Sequence, residues 1–199
     1  MPQTLWLLRH GHRQDFAEPD WFLTAPRRYD PPLSDLGFKQ AQELAAYFQS
    51  ETVDHLLCSP FLRTLQTAVP IAEGLGLKIK VEAGWGEWLN PDWMTSAPET
   101  ISWEEILAQF PRVDARYQSL VIPQYPETEA ELQRRLEWTW QALAEQFSGA
   151  WVVVGHSLTV SGLARFLLGQ DLPEAPVMGS ATQLAYRQGV WRLRETPKR

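Results

Sequence analysis

Cysteine is nearly absent. Cys58 stands alone, so the chain can close no disulfide of its own, and a reducing compartment such as the cytoplasm is the simplest setting. No apolar run approaches the ~20 residues that a membrane-spanning helix needs. The stretch Leu5 to Leu8 is cut off by Arg9 and His10, too early for a signal-peptide core. Positive charge is in deficit, with 18 Lys and Arg against 24 Asp and Glu and a net charge of -6. That balance argues against nucleic acid or an anionic membrane as the main partner, though a local basic pocket stays possible. Internal repeats and low-complexity tracts are missing too. What is present suits one globular domain over residues 1–199, with 44% hydrophobic and 21% charged residues. Tryptophan is abundant, at ten copies.

Thr4 to Leu8 reads as a short buried strand. Leu36, Ala41, Leu44, Ala45 and Phe48 then recur at helical spacing behind Ser34, a natural N-cap. His55 to Cys58 is a second strand. Ser59 and Pro60 follow it as N-cap and first position of a helix through Leu62, Leu65, Val69 and Ala72, ending at Gly74 or Gly76. Lys78 to Val81 alternates as a third strand. From 84 to about 127 the pattern weakens among prolines 91, 98, 111, 123 and 126, as an insertion over one edge would. A capping box, Ser102 with Glu105, marks a short helix within it. A second box, Thr128 with Glu131, opens a long amphipathic helix carrying Leu132, Leu136, Trp140, Leu143 and Phe147. Trp151 to Val154 is a further strand, and a helix continues through Leu158, Leu163, Phe166 and Leu167. Ala181 to Tyr186 and Val190 to Leu193, joined across Gln188-Gly189, form a terminal hairpin. Alternating strands and helices predict an α/β three-layer sandwich on a mostly parallel central sheet of four or five strands.

The polar residues gather on this scaffold. Arg9 and His10 follow the first strand directly, Arg63 opens the helix after the second, and His156 lies one glycine beyond Val154. All of them stand at carboxyl ends of strands, the ligand-binding edge of an open parallel sheet. Guanidinium forks match phosphate oxygens, and N–H groups at helix starts near Ser59 and Ser157 would add donors. A neutral histidine can attack phosphorus to give a phosphohistidine that water hydrolyses. A second histidine and the arginines would neutralise the equatorial oxygens. Taken singly, each residue is better read as structural. Taken jointly, they read as a phosphate site. His10 and His12 also spell an H-x-H metal pair, but Cys58 and the remaining histidines show no ligand spacing. No metal and no cofactor are therefore expected, and His12 and His55 are read as structural.

Three segments carry a resemblance: Leu8-Arg9-His10-Gly11, Cys58-Ser59-Pro60-x-x-Arg63-Thr64-x-Gln66-Thr67-Ala68, and Val154-Gly155-His156-Ser157. In this order they resemble the histidine phosphatase (phosphoglycerate mutase-like) superfamily. The resemblance implies His10 as the phosphorylated nucleophile, with Arg9, Arg63 and His156 on the phosphoryl group. It also implies a proton donor from the region after the third strand, where Glu87 matches and Glu82 is the nearby alternative. Flanked by Trp85 and Trp88, Glu87 would have the desolvated setting that suits a general acid. Arg9-His10-Gly11-x-Arg13-x-Asp15, Tyr29-Asp30-Pro31-Pro32-Leu33 and Glu87-Trp88 look like the branch of the suppressor-of-T-cell-receptor-signalling and ecdysteroid-phosphate phosphatases. That similarity adds Arg13 to the phosphate site.

The expected activity is hydrolysis of a small-molecule or protein phosphate monoester. A mutase-type phosphoryl transferase is the alternative within the family, although Arg13 and Gln14 onwards do not supply the Ser and Asn usual in mutases. A non-catalytic module that binds a phosphorylated partner is the alternative outside enzymology. Trp21, Phe22, Tyr29, Trp85, Trp88 and Trp93 are expected to line an apolar pocket for the leaving group.

Overall fold

The apolar runs that read as strands have two faces to bury, and two helical layers cover them. The computed structural model describes residues 2–194. In chain order these form β1 (Pro2–Arg9), α1 (Gln14–Ala17), α2 (Trp21–Thr24), α3 (Asp35–Phe48), β2 (His55–Cys58), α4 (Leu62–Leu75) and β3 (Ile79–Val81). There follow α5 (Trp103–Gln109), α6 (Glu129–Gln146), β4 (Gly149–Gly155), α7 (Ser157–Leu168), β5 (Ala181–Arg187) and β6 (Val190–Arg194). The strands make one six-stranded sheet in the order β3-β2-β4-β1-β5-β6. The first four run parallel, while β5 lies antiparallel to β1 and to β6. Six strands exceed the four or five expected because the terminal hairpin adds to the β1 side of the sheet.

Period-two alternation divides the core. Trp6, Leu8, Leu56, Cys58, Val152 and Val154 face α3 and α4, against Leu44, Phe48, Leu65 and Ile71. Leu5, Leu7, Leu57, Trp151 and Val153 face α6 and α7, against Leu136, Leu143, Val160 and Leu163. Near-continuous apolar strands thus reflect burial on both faces. Leu36 departs from the expected core stripe and faces solvent; its neighbour Gly37 is the buried one.

Residues 112–114 run along the free side of β3. Ile79 N–H donates to Arg112 O at 2.8 Å and Asp114 N–H donates to Ile79 O at 2.9 Å, so the edge strand is covered. Both capping boxes form, at Ser102 with Glu105 and at Thr128 with Glu131. Among the described residues no helix is long and apolar enough to cross a membrane.

Candidate active site

Parallel strands β1, β2 and β4 end side by side, and the chain leaving each of them brings a histidine or an arginine to one edge. Beyond β1, His10 N–H donates to Gly155 O at 3.0 Å, which locks the segment beside β4. The next residue has to be glycine. A Cβ on Gly11 would fall 2.7 Å from Gly37 O, and one on Gly37 would fall 2.2 Å from His12 O. Gly11 N–H donates to the Thr67 hydroxyl at 3.2 Å, and that hydroxyl donates to Arg63 O at 2.8 Å. Thr67 therefore ties the histidine segment to α4. Gln66 accepts from Leu33 N–H at 2.7 Å, holding the loop before α3 on the same helix.

The hydrogen bonds settle both tautomers. His10 Nδ1 lies 2.8 Å from Gly11 O, and a carbonyl only accepts, so Nδ1 carries the proton and Nε2 keeps a free lone pair. His156 Nδ1 lies 3.2 Å from Arg63 Nη2, which only donates; its Nε2–H therefore donates to Ser59 Oγ at 2.8 Å. The two rings are 5.3 Å apart between centroids. Burial, reinforced by the charge of Arg63, holds both imidazoles well below the usual histidine pKa. Both are neutral at physiological pH.

Arg63 is fully buried among these groups. Its Nη2 lies 3.4 Å from Glu87 Oε2, and its Nη1 lies 3.4 Å from Tyr29 O and 3.6 Å from Asp30 Oδ1. Burial lowers its pKa to about 10, so it stays charged. Asp30 also accepts from Leu62 N–H at 2.8 Å and Ile101 N–H at 3.1 Å. Arg9 donates from Nη1 to Pro176 O at 2.9 Å. Arg13 reaches Asp15 with both Nε and Nη2, the first at 2.8 Å. Its charge acts on His10, Arg63 and His156, while most of its fork is held by the buried Asp15. Among the described residues four buried side-chain nitrogens lack any partner: Nε1 of Trp6 and Trp85, and Nε of Arg9 and Arg63.

Glu87 Oε2 lies 3.4 Å from His156 Nδ1 as well as from Arg63, and its Oε1 accepts from Trp88 N–H at 3.1 Å. Glu82 is the structural carboxylate of the pair. It is fully buried and accepts from the N–H groups of Gly84, Leu120 and Val121 and from the hydroxyls of Tyr117 and Ser119. The tryptophans beside Glu87 do not enclose its carboxyl. Trp85 is buried in the core beneath α6, and Trp88 turns to Trp93, with ring centroids 5.1 Å apart. The six aromatic residues form no single pocket. Phe22 packs on Tyr29, whereas Trp88 and Trp93 join Leu132, Leu158 and Gly162 around a cavity of about 250 Å³ between α6 and α7.

The helix after β2 starts later than its Ser-Pro signal suggests. Phe61 takes the N-cap position without a side-chain bond, and Asp30 from a distant loop caps Leu62 instead. Ser59 Oγ is engaged by His156 and accepts from Phe61 N–H at 3.4 Å. That helix start thus offers no free N–H for an anion at Phe61 or Leu62. The Ser59 hydroxyl, Thr67, Asp15 and Asp30 escaped the sequence reading as parts of the site, although each belongs to a segment quoted for the family resemblance. His12 bonds Ser34 Oγ through Nδ1 at 2.8 Å, and the strand does not continue to pair it with His10.

One atom each of His10, Glu87 and His156 lie within 4.8 Å of one another, the spacing of a metal triad. The donor set fits a cation poorly. The permanent charge of Arg63 already lies within 3.4 Å of both Glu87 and His156.

The model for the histidine phosphatase superfamily (branch 1) matches residues 5–197. The chain is 31% identical over 183 residues to the transcription factor tau 55 kDa subunit of Saccharomyces cerevisiae, covering 85% of this chain and 42% of that protein. It is 28% identical over 239 residues to ecdysteroid-phosphate phosphatase of Drosophila melanogaster, covering 96% of this chain and 31% of that protein. The chain thus spans well under half the length of these curated relatives. A similar solved structure is the ecdysone phosphate phosphatase of Bombyx mori in complex with tungstate, with TM-score 0.76, 21% identity and coverage of 98% and 92%. Mycobacterial glucosyl-3-phosphoglycerate phosphatase shares the fold at TM-score 0.66, 23% identity and 98% coverage of both chains.

Proposed function

The chain belongs to branch 1 of the histidine phosphatase superfamily, and from that premise we propose that it hydrolyses phosphate monoesters through a phosphohistidine on His10. One observation carries the reading. Arg63, which is buried, and Arg9, which is half-buried, each keep a buried Nε–H without a partner at the edge where His10 presents a free Nε2. A buried donor left unpaired costs roughly 1–3 kcal/mol, more when charged. Phosphate oxygens are the acceptors that would satisfy both.

In the first step the Nε2 lone pair of His10 attacks phosphorus as the ester P–O bond breaks, and Glu87 gives a proton to the departing oxygen. Arg9, Arg63 and Arg13 take the equatorial oxygens, where charge accumulates, and His156 joins them by taking up a proton from the medium on Nδ1 as the dianion binds. Neutral His156 accepts from Arg63 before substrate arrives; with the dianion bound, Arg63 turns that donor to phosphate. In the second step Glu87 takes a proton from water, the water oxygen bonds phosphorus, and the N–P bond breaks with its electron pair returning to Nε2. The name of the Drosophila relative agrees in kind with such hydrolysis.

Turnover of para-nitrophenyl phosphate tests the reading. The rate should be unchanged by EDTA. Activity that vanished on chelation and returned with zinc would overturn the scheme in favour of a metal on His10, Glu87 and His156.

The buried histidines also set an acid limit. Their pKa values are lower in the folded chain than in the unfolded one, so below about pH 6.5 the unfolded chain binds more protons. Stability is complete above that pH and is lost as pH falls toward the folded values, by at most about 1.4 kcal/mol per pH unit for each histidine. Thermal unfolding should show Tm dropping between pH 7.5 and 5. A Tm that rose or held over that interval would contradict neutral burial of the pair.

A further inference from the structure

Glu87 lies outside regular structure, past the short turn Ala83–Trp85, yet its carboxyl sits where two other polar groups meet. Something has to hold that loop. Arg135 of α6 is buried beneath it, and all five of its N–H donors are committed there. Nε and Nη2 pair with the two oxygens of Glu127, each at 2.7 Å. Nη1 donates to the carbonyls of Gly84 and Gly86 at 2.9 and 3.1 Å, and Nη2 also donates to the carbonyl of Glu87 at 3.2 Å. Glu127 closes the clamp by accepting from Leu89 N–H at 3.3 Å, while its carbonyl accepts from Trp88 Nε1 at 2.8 Å. From the other side Thr159 Oγ1 donates to the carbonyls of Trp85 and Gly86 at 3.3 and 3.2 Å. The loop lies directly on α6, since a Cβ on Gly84 would fall 2.1 Å from Thr139 Oγ1.

We propose that Arg135 is a positioning residue for proton transfer, fixing the backbone of Gly84 to Glu87 so that the Glu87 carboxyl stands at the leaving oxygen. The proposal rests on the reading of Glu87 as acid and base. A planar fork with five fixed donors is required for this, because lysine supplies a charge but cannot span three carbonyls and a carboxylate. Bond by bond, Arg135 holds the main chain of the acid and none of the groups expected on phosphate; its charge does act on His156, and Arg135→Lys keeps that charge. Its loss should therefore damage protonation of the leaving group while leaving phosphate binding and attack intact. A displacement of about 1 Å at a catalytic group can cost on the order of 10²-fold.

The experiment measures formation of the phosphohistidine in a single turnover with two esters. One is 2,4-dinitrophenyl phosphate, whose leaving group departs without a proton; the other is an alkyl phosphate, whose leaving group needs one. Arg135→Lys should slow the alkyl ester by roughly 10²-fold and the dinitrophenyl ester by less than about threefold. Glu87→Gln should show the same selectivity, and the double variant should be no slower than Glu87→Gln alone, because both act on one step. Equal slowing of both esters by Arg135→Lys, with Glu87→Gln selective, would reduce Arg135 to a structural residue and leave the role of Glu87 standing. Equal slowing by Glu87→Gln would remove the acid assignment and the proposal with it. Should Arg135→Lys fail to fold, Thr159→Val releases the same loop from α7. That variant should slow the alkyl ester selectively by roughly tenfold, and no selectivity there would also overturn the proposal.

Discussion

Replacing His10 with alanine should abolish turnover, by at least about 10⁴-fold in kcat, and should eliminate any trapped phosphoenzyme. The expectation follows from the bonding of the ring. Nδ1–H is spent on Gly11 O, and burial keeps the imidazole neutral, so one lone pair faces the site ready to attack. Among the described residues the other imidazole at this edge cannot take over, since His156 is committed to Ser59 and Arg63. The variant should fold, because the backbone bonds of His10 to Gly155 and Gly179 do not involve the side chain. Alkaline quench of enzyme with labelled substrate, followed by electrophoresis, reads the phosphohistidine directly. A His10→Ala protein that kept more than about one per cent of activity, or still trapped label, would sink the mechanism.

Arg63→Ala should cause the second large loss, roughly 10³-fold in kcat/KM, together with reduced stability. This arginine joins Glu87, His156, Asp30 and the Tyr29 carbonyl in one cluster and keeps a buried Nε–H without a partner. Its removal leaves Asp30 buried without its cation, and breaking such a pair typically costs about 3–5 kcal/mol. Burial already raises the Asp30 pKa above the ordinary carboxylate value despite the opposing pull of Arg63. A carboxyl with a raised folded pKa stabilises the fold at low pH and loses that contribution as pH rises through the folded value. Without Arg63 the rise is larger, so the deficit should be greatest near neutrality and shrink on acidification. Urea denaturation of wild type and variant at pH 7 and pH 5 checks this. Arg63→Lys should still lose about 10²-fold, since an ammonium cannot reproduce the fork. A variant within tenfold of wild-type activity would mean that the phosphate is held elsewhere.

Much of the molecule was legible because it depends on local pattern. Both capping boxes, the apolar strands and the glycine stop at Gly76 are short-range statements, and the strands and longer helices stand close to where the pattern put them, whereas the one-turn helices α1 and α2 form where it indicated no element. The failures have one cause in common. Ser59-Pro60 carries the local signature of a helix start, but Ser59 is taken by His156, 97 residues away, and Asp30 caps the helix from a loop 32 residues upstream. Leu36 fits the helical stripe, but α3 must press Gly37 against His12 and turns Leu36 out. Trp85 and Trp88 flank Glu87 in sequence, but the turn at Ala83–Trp85 sends the first into the core and the second to the surface cavity.

The sequence by itself determined the α/β class, the family and the placing of Arg9, His10, Arg63 and His156 at strand ends. Each of those follows from residue type and short spacing, and a parallel sheet converts strand ends into a shared edge. Only the tertiary structure decided which imidazole nitrogen is free, that Glu82 is anchored while Glu87 faces the site, and that Arg135 grips the loop from beneath. Those outcomes rest on hydrogen bonds between segments far apart in the chain. No local pattern encodes them, because burial and partner geometry exist only once the layers have packed.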